Sequence, residues 1–160
     1  MGIAHSIQSI DFLTAFSESQ FPYPIVLSLH LTCIALFGGM ILATNLRLLG
    51  LTFKSLTITE VVTSLRPWKR VGGTIMIGTG LLLATCEAEK YAPNPLFWTK
   101  MIVLGLILVH GQIFRRTVYC KTAELDRSPV LPTQAKIAAI LSLVLWTTMF
   151  VMGRLIAYWD

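Results

Sequence analysis

Two of the three histidines in this chain lie inside long apolar segments. His30 is the only acidic or basic residue of the run at residues 25–45, and His110 interrupts a second run at residues 96–114. An ionisable group in hydrocarbon is costly, so it usually faces the interior of a helix bundle and marks a functional site. Neutral imidazole ligates haem iron and copper. Both histidines are therefore candidate metal ligands, and the alternative is that each hydrogen-bonds a neighbouring helix.

The two histidines are predicted to lie at different depths in the membrane. His30 lies five residues after the start of its run, and His110 lies five residues before Arg115. In antiparallel helices this spacing separates them in depth by roughly 10 Å, at about 1.5 Å per residue. The two axial ligands of one iron need nearly the same depth, so we expect two sites rather than one haem shared by both.

Methionines are the candidate second ligands at these two depths. Met152 is predicted at the level of His30, and Met76 at the level of His110. Methionine is an axial haem ligand in some cytochromes. The alternative is that both methionines only fill space in an apolar bundle.

Basic and small residues complete the candidate site. Arg154 and Lys100 are expected at the outer level, where haem propionates need cations; Lys69, Arg70 and Arg115 are expected at the inner level. The alternative for each cation is a snorkelling membrane anchor. Gly38 and Gly39 permit close helix approach in lipid, or clear space for a flat cofactor.

The composition requires a membrane environment. Of the 160 residues, 54% are hydrophobic and only 13% are charged, and the mean hydropathy is +0.69; soluble domains carry about 25% charged residues. We predict an all-α integral membrane four-helix bundle at residues 21–160, preceded by an amphipathic interfacial helix within residues 1–20. The predicted spans are about residues 25–47, 68–88, 96–116 and 136–159. A separate surface helix is predicted to end at Leu65, before Pro67.

The basic residues predict the orientation of the chain. Lysine and arginine concentrate in the first and third connections, at residues 47–70 and 115–136, and neither occurs in the first 24 residues. The positive-inside rule places both connections in the cytoplasm and both termini in the periplasm of a bacterial inner membrane. This asymmetry accounts for the net charge of +5 without a nucleic-acid partner. The three cysteines show no metal-binding spacing.

Three segments carry a family resemblance that spans about residues 25–159. HLTCIALFGG, GTGLLLATCEAEKYAPNPLFWTKMIVLGLIL and LSLVLWTTMFVMGRLIAYW resemble an uncharacterised family of small bacterial four-helix membrane proteins. More loosely, they are similar to the copper-resistance membrane protein CopD. The uncharacterised family usually has Asp where Asn45 stands here, and histidine at position 110 is not a regular feature of it. The resemblance therefore supports His30 more than His110.

These observations favour a haem b-binding membrane cytochrome, or the haem-bearing subunit of a respiratory electron-transfer assembly. A quinone or a periplasmic redox protein is the expected partner, in a homo-oligomer or a larger membrane complex. The alternatives are a copper-handling membrane protein and a non-redox scaffold or accessory subunit. The spans contain no nucleophile–base pair, carboxylate pair or phosphate loop, which favours an electron-transfer protein over an autonomous enzyme. Scattered methionines favour haem over copper.

Overall fold

The chain folds almost entirely into helices. The computed structural model describes His5, residues 8–128, residues 131–156 and Tyr158, and every regular element in these ranges is helical. The helices are α1 (Asp11–Ser17), α2 (Pro22–Leu48), α3 (Ile58–Cys86), α4 (Ala88–Tyr91), α5 (Pro95–Thr117), α6 (Thr122–Arg127) and α7 (Thr133–Ile156). This confirms the predicted all-α fold. Parts of the predicted interfacial helix, and Trp159 and Asp160, lie outside the described residues.

Within the described residues, three segments are long and apolar enough to cross a bilayer: Pro22–Leu48, Pro95–Arg127 and Thr133–Ile156. Few of their side chains are buried inside the bundle, as expected for helices that face lipid. Helix α3 is also long, with 29 residues, but its first half carries four charged residues. Its apolar part, residues 71–86, is about 24 Å long. Helix α3 packs along α2, but it is not one of the three segments that are apolar enough to span. Its membrane crossing therefore stays a prediction.

Helix α3 differs from the prediction at its beginning. It starts at Ile58, where Thr57 and Glu60 form a capping box, and continues through Pro67 to Cys86. The prediction of a separate surface helix that ends before Pro67 was wrong. Proline removes the amide that would bond the carbonyl of Thr63. Both residues are exposed, so water can satisfy that carbonyl and the helix tolerates the proline.

The four long helices pack in the order α3, α2, α7 and α5. Helices α3 and α5, at the two ends of this order, barely touch each other. Two clusters fill the interior. One, at the basic end, includes Leu48, Val62, Phe114 and Ala139. The other, nearer the middle of the long helices, contains Cys33, Met76 and Trp146. The arrangement leaves a lengthwise groove between α3 and α5.

The glycines of α2 and α3 play different parts in this packing. A Cβ on Gly73 would lie 3.3 Å from the Phe37 ring, so α3 packs closely on α2 at this glycine. Gly38 faces α7, since a Cβ there would lie 3.0 Å from Phe150. No atom lies within 4 Å of a Cβ on Gly39. The prediction that Gly39 lies at a helix interface was therefore wrong.

Candidate functional site

His30 lies between α2 and α3, where its ring is held in one tautomer. Its Nδ1 atom is 2.8 Å from Thr79 Oγ1. The single hydroxyl proton of Thr79 is donated to the carbonyl of Ile75, at 2.7 Å. The hydroxyl must then accept from His30, so Nδ1 carries the proton. In the neutral ring this leaves Nε2 with a free lone pair.

Gly80 makes room for the His30 ring against α3. A Cβ at position 80 would stand 2.9 Å from His30 Cε1, a distance that a side chain does not tolerate. Sequence reasoning identified His30 but neither Thr79 nor Gly80 as its partners. The sequence feature that could have indicated these partners is the triplet Gly78-Thr79-Gly80 in the neighbouring helix. In this triplet two glycines flank a threonine hydroxyl.

Lys100 is the cation that accompanies His30 in this half of the bundle. It lies within electrostatic range of His30, and its Nζ is 3.8 Å from the position of a Cβ on Gly153 of α7. Its side chain is directed into the bundle rather than along its surface. No carboxylate of the described chain forms an ion pair with it.

The other predicted members of the outer site have different neighbours. Arg154 donates a hydrogen bond to the Tyr158 hydroxyl at 2.5 Å and stacks over its ring, 4.9 Å from the centroid. Met152 is half-buried on α7. The Phe150 ring fills the space beside Gly38, and Gly39 faces open space. The structure thus brings together His30 and Lys100, but not the remaining predicted outer residues.

His110 connects α5 to α7. Its Nε2 atom is 3.1 Å from the carbonyl oxygen of Ala138, and a carbonyl only accepts, so Nε2 carries the proton. The ring also stacks on Phe114, with centroids 5.6 Å apart. The nitrogen that usually ligates haem is therefore already engaged in His110, in contrast to His30.

A polar layer crosses the bundle near its basic end. Asn45 donates to Ser142 Oγ at 3.0 Å, and Lys69 Nζ donates to Thr44 Oγ1 at 3.1 Å while lying 5.1 Å from the Tyr119 ring centroid. Asn45 is only 1% exposed, and its Oδ1 has no protein partner. These bonds join α2 to α7 and α3, and sequence reasoning did not identify them.

The groove between α3 and α5 has a volume of about 690 Å³. Its deep wall is apolar and includes Met76, Leu104 and Trp146. Its mouth is basic. All five predicted inner-level residues line this groove: His110, Met76, Lys69, Arg70 and Arg115. Two further arginines, Arg66 and Arg116, line it as well.

The described residues contain no cluster of three or more His, Cys, Asp or Glu side chains able to hold a metal ion. Cys33, Cys86 and Cys120 are all free.

Residues 23–159 match a family described as a family of unknown function, DUF6644. No curated protein and no solved structure matches the chain.

Proposed function

This chain belongs to DUF6644, and we propose that it is a haem b-binding electron-transfer protein of the membrane, with His30 as the iron ligand. The observation that carries the proposal is the 2.8 Å contact between His30 Nδ1 and the Thr79 hydroxyl, which itself donates to the Ile75 carbonyl. This arrangement assigns the proton to Nδ1, and no hydrogen bond among the described residues engages Nε2. Metal-ligating histidines commonly donate their other ring N–H to a second group, which fixes the tautomer and the ring orientation. The Thr79 hydroxyl supplies that second group here.

Lys100 supplies the charge complementarity that a haem needs. Haem propionates are carboxylates, and a partly buried lysine without an acidic partner is a favourable neighbour for one of them. Lys100 meets this requirement on the side of the bundle where His30 lies. Arg154 lies at the same end of the bundle, and among the described residues its hydrogen-bond acceptor is the Tyr158 hydroxyl, so it is the second propionate candidate.

The proposal contains a single haem. His110 Nε2 could bind iron only after giving up its hydrogen bond to the Ala138 carbonyl. Nothing in the arrangement favours that change. Met76 belongs to the buried cluster with Cys33 and Trp146, where packing accounts for its position. Met152 stays the candidate for the second axial position because it is on the outer half of α7.

The setting of this function is proposed from the charge pattern and the resemblance. The protein is placed in a bacterial inner membrane, with both termini in the periplasm and a quinone or a periplasmic redox protein as electron partner. If the protein is a subunit of a larger respiratory complex, its electron partner is permanently bound to it. The loose similarity to CopD is the ground for testing copper beside haem.

A non-redox scaffold is the second candidate function. The observation that favours it is that both intramembrane histidines join two helices by a hydrogen bond, His30 to Thr79 and His110 to Ala138. Such bonds are worth on average about 0.6 kcal/mol each in a membrane protein. In a scaffold this bond would be the whole role of each histidine.

Haem content separates the two functions. The protein is produced with haem supplied and purified, and a reduced-minus-oxidised spectrum, haem stoichiometry and copper content are measured. We expect about one haem per chain, lost in His30→Ala and kept in the matched control His110→Ala. Thr79→Val should weaken haem binding about 10- to 100-fold. Wild-type protein without haem, or an unchanged spectrum in His30→Ala, contradicts the proposal; copper without haem favours the copper alternative.

A further inference from the structure

The groove between α3 and α5 spans one leaflet of a bilayer. It reaches along α5 from Arg116 at the basic end to Leu104, which is about 18 Å at 1.5 Å per residue. Half of a hydrocarbon core is about 15 Å thick. The groove therefore extends from the membrane surface to about the bilayer midplane and is open to the lipid between two helices that barely touch.

The mouth of the groove carries positive charge without a matching negative charge. Arg66, Arg70, Arg115 and Arg116 line it from the two opposite helices. Arg115 donates to the Gln112 side chain at 2.7 Å, which orients the guanidinium and leaves its charge uncompensated. Within the described ranges, no carboxylate forms an ion pair with any of these four arginines. The mouth thus presents several guanidinium groups, which bind phosphate well.

The deep part of the groove suits a hydrocarbon chain. Its wall includes Ile107, Leu108 and Trp146, and its lining surface is mainly apolar. Gly111 lies on this wall, and no atom stands within 4 Å of a Cβ built on it. Trp146 is only 7% exposed, so a lipid chain that touches its ring has to enter through the groove.

We propose that this groove binds one anionic phospholipid of the leaflet at the basic end, with its phosphate at the arginines and an acyl chain along Trp146. Basic pockets between membrane helices bind acidic lipid headgroups. A zwitterionic lipid satisfies the apolar wall but leaves the arginine charge uncompensated. The site is independent of His30, because the groove lining does not include that residue.

Quenching of Trp146 tests the proposal. The variant Trp68→Phe/Trp98→Phe/Trp159→Phe keeps Trp146 as the single tryptophan and is reconstituted into bilayers containing lipids with brominated acyl chains. We expect stronger quenching by brominated phosphatidylglycerol than by brominated phosphatidylcholine at equal mole fraction, and a smaller difference at high salt. This measurement on one folded protein needs no change in the groove. Equal quenching by the two headgroups at every salt concentration overturns the proposal.

Charge removal at the mouth gives the second arm. In the single-tryptophan protein, Arg70→Gln/Arg116→Gln should weaken anionic-lipid binding about 25-fold, since each basic residue contributes roughly a fivefold factor. The matched control is Arg127→Gln/Lys136→Gln, which removes the same charge from the same end but outside the groove lining. Equal weakening by the two double variants means general surface attraction and contradicts a defined site.

Filling the groove gives the third arm. Gly111→Phe should abolish the headgroup-dependent quenching because the new ring occupies the path of the acyl chain. Gly105→Phe is the control, since Gly105 is also on α5 with open space around its Cβ but does not line the groove. Headgroup-dependent quenching that persists in Gly111→Phe places the lipid elsewhere and contradicts the proposal. The haem spectrum should be unchanged in both variants. The lipid proposal and the haem proposal can therefore be contradicted independently of each other.

Discussion

The Cε1 atom of His30 lies 2.9 Å from the point where a Cβ on Gly80 would stand. The ring therefore occupies space that any residue other than glycine would fill. Because His30 also bonds Thr79, the residue next to Gly80, one turn of α3 fixes both the tautomer and the position of the imidazole. Two adjacent residues of α3 thus determine how the candidate ligand is presented.

The first prediction is that Gly80→Ala displaces His30. The added methyl group meets the ring, and overpacking of this kind costs about 1–3 kcal/mol. Replacing glycine by alanine inside a helix otherwise gains up to about 1 kcal/mol. We expect a lower unfolding temperature in detergent and a changed haem spectrum.

Gly78→Ala is the control for this prediction. No atom lies within 4 Å of a Cβ on Gly78, so only the favourable helix-propensity effect applies. If Gly80→Ala is as stable as Gly78→Ala and keeps the wild-type spectrum, the contact between Gly80 and His30 does not fix the position of the ring.

The identity of the long helices could be predicted from the sequence, but their partners could not. Apolar runs and flanking charges indicated all four helices, and the cost of a charge in lipid indicated that His30 faces the interior. Which helix meets which face is decided by contacts between residues far apart in the chain. His30 and Thr79 are 49 residues apart, and nothing local to either residue encodes that contact.

The two neighbouring glycines of α2 show the same limit more sharply. Successive residues of a helix point about 100° apart, so only one of Gly38 and Gly39 can face a given neighbour. Small residues indicate that a close approach is possible but not which glycine makes it. Pro67 is a different case, because its effect depends on whether water reaches the carbonyl it leaves unpaired.

The second prediction separates these two glycines. Gly38→Leu should disrupt the packing of α2 on α7, because even a Cβ there would lie 3.0 Å from Phe150. Gly39→Leu should be tolerated, because its Cβ meets open space. Thermal unfolding and yield of monodisperse protein in detergent measure both effects. Equal loss of stability in the two variants would show that the α2–α7 contact is wrongly assigned.

The third prediction concerns Asp126, which ties α6 to the beginning of α3. Its Oδ1 accepts from the Ile58 amide at 2.6 Å, and its Oδ2 accepts from the Thr59 amide and hydroxyl at 3.1 and 2.5 Å. Asp126→Ala should cost about 1 kcal/mol in the free energy of unfolding, as for loss of a helix cap. Glu124→Ala, on the same helix, is the control, and chemical unfolding measures the difference.

The contribution of Asp126 should depend on pH with a defined sign. Burial alone would raise the pKa of this carboxyl, but the hydrogen bonds from Thr59 and Ile58 outweigh it and hold the pKa below its ordinary value. A depressed folded-state pKa stabilises the protein fully above the unfolded pKa of about 3.9. The stability gap between wild type and Asp126→Ala should therefore be constant from neutral pH to about pH 5. It should narrow as the pH falls below about 4, and a gap that widens there contradicts the assignment.

The fourth prediction is the orientation of the bundle, which decides the compartment that each candidate site faces. Arg66, Arg70, Arg115 and Arg116 all lie at the same end, around the mouth of the groove. The positive-inside rule places that end in the cytoplasm and the His30 end toward the periplasm. A reporter active only in the cytoplasm should therefore be active when inserted after Ser55, in the first connection, and inactive when fused at Asp160. An insertion after Pro93, between α4 and α5, is the matched control and should be inactive as well. A reporter that is active at Asp160 and Pro93 but inactive at Ser55 would show the opposite orientation of the bundle. A reporter that is active at both Ser55 and Asp160 would mean that the number of membrane crossings is odd.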